Sequence, residues 1–181
     1  EEGFIILAKT PFYAQGGGQI GDTGYLLNAT SQFLVTQTFK EGAFILHQGK
    51  LLKGHLKKGD KLKAEVDVEK RRAITLNHSA THLLHAALRE VLGGHVMQKG
   101  SLVEPERLRF DFSHPDLLST EQLKIIEDRV NQQIRANLPV LTQIMSREEA
   151  RQTGALAMFG EKYADKVRVL TMGDFSKELC G

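Results

Sequence analysis

The sequence has one cysteine, Cys180, and no long apolar run. A single cysteine excludes an internal disulfide framework and fits a reducing compartment, which predicts a cytoplasmic protein. No stretch approaches the roughly 18 consecutive apolar residues of a membrane-spanning helix, and the start shows no secretory signal pattern. The sequence therefore predicts no membrane partner.

Several familiar catalytic motifs are also absent. The glycine-rich stretch 16–24 lacks the GxxxxGK[ST] spacing of a P-loop and does not form a GxGxxG turn opening a helix. The paired histidines His78 and His82 lack the adjacent glutamate of an HExxH site, which excludes that metalloprotease mechanism. An initiator methionine is missing, and the chain stops at Cys180-Gly181, so we expect a fragment of something longer.

The composition is that of an ordinary globular protein. The chain has 181 residues, a length sufficient for one domain or two small ones. Hydrophobic residues make up 41% of it and charged residues 25%. The net charge of +2 is unevenly spread, with two Lys against four acids in 1–49, nine Lys/Arg against four in 50–72, and thirteen against fourteen in 73–181. The middle segment, at +5, is either a phosphate-binding footprint or a solvated lysine-rich surface.

The first part of the chain has the pattern of short antiparallel strands. Strand-like runs are punctuated by glycines, and they lie at 4–8, 24–28, 33–39, 43–48 and 61–68. Regular short strands with glycine turns are typical of a small antiparallel barrel or sandwich, and of the two we predict a small β-barrel over residues 1–68.

The rest of the chain predicts an α+β core over residues 69–181, with helices packed on an antiparallel sheet. Capping boxes at Ser119/Gln122 and Ser146/Glu149 open two of its helices. The predicted elements are a helix at 69–92, a hairpin at 95–113, a helix through Asn137, a strand at 140–145, a short helix and a last strand at 166–172. We expect residues 173–181 to lead off the sheet. The apolar face of the second helix is predicted to comprise Ile125, Ile126, Val130 and Ile134.

Two segments could carry chemistry. His78 and His82 are four residues apart on a predicted helix and therefore share a face, where they are either metal ligands or hydrogen-bonded core residues. His85 lies on the same stripe. The glycine-rich loop 10–24 is either a structural turn or a loop that lets its backbone approach a ligand closely.

Six ordered motifs together resemble the editing domain of bacterial alanyl-tRNA synthetase, and free-standing alanyl-tRNA editing proteins and the threonyl-tRNA synthetase editing domain share parts of the set. They are the loop ending at Gly17–Gly24, the helix segment His78–His85, Gln98–Ser101, Leu108–Asp111, Phe159–Tyr163 and Glu178–Gly181. The resemblance spans almost the whole chain, in the family's order.

The resemblance implies a zinc ion held by His78, His82 and Cys180, with a fourth ligand four residues past Cys180, beyond the last residue given. Zinc with an open position makes a nucleophile of bound water, whereas a saturated zinc would mainly position the substrate. His85 is a poor substitute because it lies one turn away.

The implied reaction is hydrolysis of the ester that joins Ser or Gly to the acceptor end of tRNA(Ala), within a parent synthetase whose other domains are further partners. An apolar pocket gains only about 1–3 kcal/mol from one methyl group, so a second site is needed to reject these amino acids. Thr81 and Gln98 are the candidates for recognising the serine hydroxyl. The hydroxyl of Thr81 could instead bond back to its own helix.

The remaining implied roles are less specific. Glu178 could hold the substrate ammonium or order a water, and Lys162 could meet a phosphate or polarise the carbonyl, although a surface ion pair is the simpler interpretation. Gly17, Gly18 and Asp22 belong to the loop that would approach the amino acid and terminal adenosine. The main alternative is a tRNA-binding module that keeps the fold but has impaired hydrolysis; the motif set argues against an unrelated zinc hydrolase.

Overall fold

A computed structural model describes residues 2–155 and 165–180. The chain divides into two compact units. The first contains residues 1–76 and 102–107, and the second contains residues 77–101 and 108–181. The division falls inside a helix, between Leu76 and Asn77, whereas the sequence predicts a boundary at residue 68, which stays a prediction.

The first unit is built on a five-stranded antiparallel sheet. Its strands are β1 (Glu2–Ile6), β2 (Gly24–Leu27), β3 (Gln32–Glu41), β4 (Phe44–Lys53) and β5 (Lys63–Val66), in the order β1-β4-β3-β2-β5. The predicted strands are therefore present. In the described part of the chain β1 and β5 form the two edges of this sheet, so a closed barrel is not confirmed. The pairing of the first and last strands is what would close a barrel, and strand periodicity does not encode it.

A compact core lies within this first unit. Phe12, Leu26, Phe33 and Val35 are buried together. Leu26, Phe33 and Val35 come from β2 and β3, where alternate residues face the same side of the sheet. Phe12 comes from the glycine-rich loop, so this core anchors the loop.

The central helix α1 spans Val68–Leu92, close to its predicted bounds. Gly93 follows with φ of 113°, a conformation that favours glycine and ends the helix. The predicted hairpin is also present, as β6 (Gln98–Val103) and β7 (Leu108–Phe112) in a two-stranded sheet.

The second unit continues with α2 (Thr120–Ala136), β8 (Val140–Ser146), α3 (Arg147–Gln152), β9 (Lys166–Met172) and β10 (Ser176–Cys180). Both predicted capping boxes are formed. The α+β class with antiparallel sheets is confirmed. The predicted apolar face of α2 is only partly buried, since Ile126 is 4% exposed but Ile125 and Ile134 are 48% and 51% exposed.

The prediction that residues 173–181 leave the sheet is wrong. Residues 176–180 form β10, which pairs antiparallel with β9 in the three-stranded order β10-β9-β8. A turn at 173–175 reverses the chain, and Phe175 N–H donates to the Met172 carbonyl across it. This hairpin is what places the end of the chain in the core of the second unit.

None of the helices in the described ranges is both long enough and apolar enough to cross a bilayer.

Candidate metal centre

The histidines of α1 lie on one stripe of the helix, as their spacing predicts. The imidazole rings of His78 and His82 are stacked, with centroids 5.2 Å apart and an interplanar angle of 18°. His82 and His85 are buried, whereas His78 is partly exposed. The i, i+4 spacing thus brings two imidazoles together.

Strand β10 supplies the other side of the cluster. Successive strand residues point to opposite faces, so Glu178 and Cys180 share one face and Leu179 points to the other. Leu179 is buried in an apolar cluster with Val167 and Val169. That packing holds β10 in place and directs Glu178 and Cys180 at the α1 histidines.

The side chains of His78, His82 and Cys180 form a set of three potential metal ligands. One ligand atom from each lies within 4.8 Å of the others, and Nε2 of His78 is 3.4 Å from Sγ of Cys180. Nε2 of His82 is buried and has no hydrogen-bond partner in the described part of the protein. An unpartnered buried nitrogen is costly, and metal coordination would satisfy it. Two imidazoles and one thiolate are ligands that zinc prefers, so these residues fit the ion that the family resemblance implies.

Glu178 lies behind the ligand set. Its carboxylate is 2% exposed, with Oε2 placed 2.6 Å from Nδ1 of His82 and Oε1 placed 2.8 Å from Nδ1 of His85. The His82 contact is a hydrogen bond. The His85 contact is close enough for an ion pair but lacks hydrogen-bond alignment, since neither atom has a hydrogen-bond partner in the described chain.

The electrostatics of the cluster favour charged side chains. Burial opposes ionisation of the Cys180 thiol, but contacts with His78 and His82 outweigh it and lower the thiol pKa to about 5. Burial likewise disfavours protonated His82, but Cys180 and Glu178 outweigh it and raise the imidazole pKa to about 9. The thiolate is the form of cysteine that binds metals.

Arg168 is a residue of the cluster that the sequence did not reveal. It lies opposite Cys180 in the β9–β10 register, and its guanidinium donates to Sγ of Cys180 at 3.0 Å. A cation beside the sulfur stabilises the thiolate. The pairing of β10 with β9 brings these residues together, and no local sequence signal predicts that pairing.

The two residues predicted to recognise the serine hydroxyl have different surroundings. Thr81 is buried, and its hydroxyl donates to the Asn77 carbonyl at 2.8 Å, which is the helix-bonded alternative. Gln98 is the first residue of β6 and belongs to the same unit as the cluster. Its Oε1 atom is buried and has no hydrogen-bond partner among the described residues.

The glycine-rich loop belongs to the first unit. Gly17 and Gly18 have φ of 55° and 81°, and the Gly18 carbonyl accepts from Val103 N–H at 2.8 Å. Asp22 is 2% exposed, accepts from Tyr13 N–H at 2.5 Å, and forms an ion pair with Arg71. Arg71 Nε also donates to Oδ1 of Asp22 at 3.2 Å, so both carboxylate oxygens have partners within the first unit. Lys162 lies outside the described residues.

Comparison with protein families identifies a match in the first part of the chain. Residues 1–70 match the family described as tRNA synthetases class II (A). The match covers the five strands of the first unit and the start of α1, and it ends before the first histidine of the metal cluster. Over this stretch the chain is similar to class II aminoacyl-tRNA synthetases, which supports a ligase-related enzyme with a role in tRNA aminoacylation or editing.

Proposed function

We propose that this chain hydrolyses tRNA(Ala) that carries Ser or Gly, as the editing part of an alanyl-tRNA synthetase. The observation that supports this most directly is the buried Nε2 of His82, which has no hydrogen-bond partner in the described ranges and lies beside the ligand atoms of His78 and Cys180. The match of residues 1–70 to class II synthetases supports tRNA as the partner class. The ordered motifs from the glycine loop to β10 support editing as the reaction.

Zinc is the cofactor in this proposal. His78, His82 and Cys180 would hold it, with Arg168 beside the sulfur and Glu178 behind His82. A zinc ion with an open coordination position would act as a Lewis acid and would lower the pKa of a bound water to about 7.

Selection for serine over alanine requires a polar partner for one hydroxyl group. Oε1 of Gln98 is an acceptor without a partner among the described residues, so a serine hydroxyl that donates to it would satisfy a buried polar atom. Thr81 can take the opposite role. Its hydroxyl hydrogen is used by the Asn77 carbonyl, but the oxygen retains lone pairs that can accept. A site built on such hydrogen bonds rejects the analogue without the hydroxyl far better than an apolar pocket does.

The basic segment 50–72 is proposed to contact the tRNA backbone. It carries nine Lys or Arg residues against four acidic residues. Basic side chains on a nucleic-acid-binding surface release counterions on binding, so we expect tRNA affinity to fall steeply as salt rises.

The test is deacylation of Ser-tRNA(Ala), Gly-tRNA(Ala) and Ala-tRNA(Ala) by the zinc-loaded protein. We expect the first two to be hydrolysed and the third to be spared. His82→Ala should slow hydrolysis by about 100-fold or more, the scale seen when one group of a preorganised site is removed. The matched control is His95→Ala, an exposed histidine of the same unit, which should retain the wild-type rate.

Two results would overturn this proposal. Equal hydrolysis of all three substrates would remove editing selectivity. Binding of tRNA without any hydrolysis would favour the alternative, a tRNA-binding module with the editing fold.

A further inference from the structure

The carboxylate of Glu178 is buried between two histidines of α1. It is 2% exposed, and its oxygens lie 2.6 Å from Nδ1 of His82 and 2.8 Å from Nδ1 of His85. A buried carboxylate is costly unless other groups stabilise its charge. A contact with a substrate ammonium, which the sequence suggests for Glu178, would require an oxygen that the two imidazoles already contact.

The hydrogen bond to Glu178 fixes which nitrogen of His82 carries the proton. An ionised carboxylate only accepts, so Nδ1 of His82 must donate. In the neutral imidazole the lone pair is then on Nε2, which is buried and has no hydrogen-bond partner within residues 2–155 and 165–180. Without the carboxylate, the ring could rotate or change tautomer, and Nε2 would no longer be fixed as the ligand atom.

His85 contacts the other oxygen of the same carboxylate. Its ring packs on Phe110, with centroids 5.3 Å apart, and Nδ1 points at Oε1 of Glu178. The two atoms do not meet the geometry of a hydrogen bond, so this is a close steric contact. Such a contact prevents the carboxylate from turning away from His82. His85 therefore lies behind the ligand set and does not belong to it.

We propose that Glu178 is a positioning residue that holds His82 with Nε2 toward the metal, and that His85 holds Glu178 in turn. This inference rests on the metal site of the proposed function but not on the hydrolysis itself. In this proposal His85 contacts Glu178, Glu178 accepts from His82, and His82 binds the metal.

The first test measures zinc affinity by competition with a chromophoric chelator. Glu178→Gln keeps the size of the side chain and removes its charge, and we expect it to weaken zinc binding by about 10- to 100-fold. The matched control is Glu90→Gln, an exposed glutamate on α1 that is paired with Arg129, and it should bind zinc as the wild type does. His85→Gln should weaken zinc binding less than Glu178→Gln.

The second test needs no variant, which matters if Glu178→Gln does not fold. In the NMR spectrum of the zinc-loaded wild-type protein, Nε2 of His82 should carry no proton, and the Nδ1 proton should be shifted strongly downfield because it donates to the Glu178 carboxylate. A ring held by the metal alone would also lack a proton on Nε2, but its Nδ1 proton would not show the downfield shift, and that result would overturn the inference.

The outcomes separate this inference from the proposed function. Wild-type zinc affinity in Glu178→Gln, or a His82 ring protonated on Nε2, would overturn the inference while leaving editing intact. Loss of selective deacylation with these zinc results unchanged would overturn editing and leave the inference standing. A wild-type protein that binds no zinc would overturn the inference together with the metal site.

Discussion

At the scale of single residues, the buried histidines differ in what their nitrogens contact. Both ring nitrogens of His47 have partners, Nδ1 with the Ile5 carbonyl at 2.9 Å and Nε2 with the Thr10 hydroxyl at 2.7 Å. His82 has a partner on Nδ1 but none on Nε2 in the described chain. A histidine with both nitrogens satisfied is structural, whereas one with a free inward nitrogen can bind a metal. The sequence cannot make this distinction, because the partners lie far away along the chain.

His47 provides a prediction on pH. Burial lowers its pKa below 6.5, and the bond to the Ile5 carbonyl opposes this only in part. The unfolded chain therefore binds the proton more tightly, so the stabilisation is complete above pH 6.5 and is lost as pH falls toward the folded-state pKa. We expect the free energy of unfolding to decline by at most about 1.4 kcal/mol per pH unit from this residue.

The measurement is urea denaturation between pH 7.5 and pH 5. His47→Gln should flatten the decline, whereas His55→Gln, at an exposed histidine of the same unit, should leave it unchanged. An identical slope in wild type and His47→Gln would contradict the prediction.

Asp22 gives a second prediction at this scale. Its buried carboxylate contacts Arg71 and Tyr13 N–H, and Arg71 also donates to the Pro11 carbonyl at 2.6 Å. Asp22→Asn removes the charge but retains the shape, and we expect a loss of about 1–3 kcal/mol in the free energy of unfolding. Thermal melting at neutral pH measures it. An unchanged melting temperature with a raised KM would instead support the predicted contact with substrate.

At the scale of elements, the sequence predicted what is local and missed what depends on distant pairing. The capping boxes at Ser119 and Ser146 were predicted because each involves residues only three apart. Periodicity predicts the helix that carries His78 and His82. The sequence does not predict strand β10, since five residues after a turn carry little pattern and their pairing with β9 is not a local property. It does indicate Glu178 as a site residue, but the contacts of Glu178 with His82 and His85 depend on that pairing.

Leu179 tests the importance of β10. Its side chain is 4% exposed and packs with Val167 and Val169, while its two neighbours face the metal cluster. Leu179→Ala should lower the free energy of unfolding by about 2–5 kcal/mol through lost burial and a cavity. It should also weaken zinc binding, because β10 holds Glu178 and Cys180. Chemical denaturation and chelator competition measure the two effects.

The control for this change is Leu117→Ala, at a leucine that is 98% exposed. A surface change of this kind should alter stability by no more than about 0.5 kcal/mol. If Leu179→Ala destabilised the protein without affecting zinc affinity, the proposed support of the ligands by β10 would be wrong.

At the scale of the whole molecule, the family match and the candidate metal ligands belong to different units. The match to class II synthetases covers residues 1–70, and the candidate metal ligands belong to the second unit. Each unit also has its own buried apolar clusters, around Phe33 in the first and around Leu88 and Val169 in the second. Separate cores allow a ligand to stabilise one unit more than the other.

Removal of zinc should therefore affect the two units unequally. A ligand that binds only the folded state stabilises that state by about 2.7 kcal/mol when its free concentration is 100 times its dissociation constant. Because the proposed ligands lie on α1 and β10, chelation should speed amide hydrogen exchange in β9 and β10. Exchange in β3 and β4 of the first unit should stay the same. Hydrogen exchange with mass spectrometry measures both regions in one experiment, and the His82→Ala protein, as the control, should show no zinc-dependent change. Equal acceleration in β3 and β9 would mean that the two units unfold as one, and that their separate cores do not make them independent.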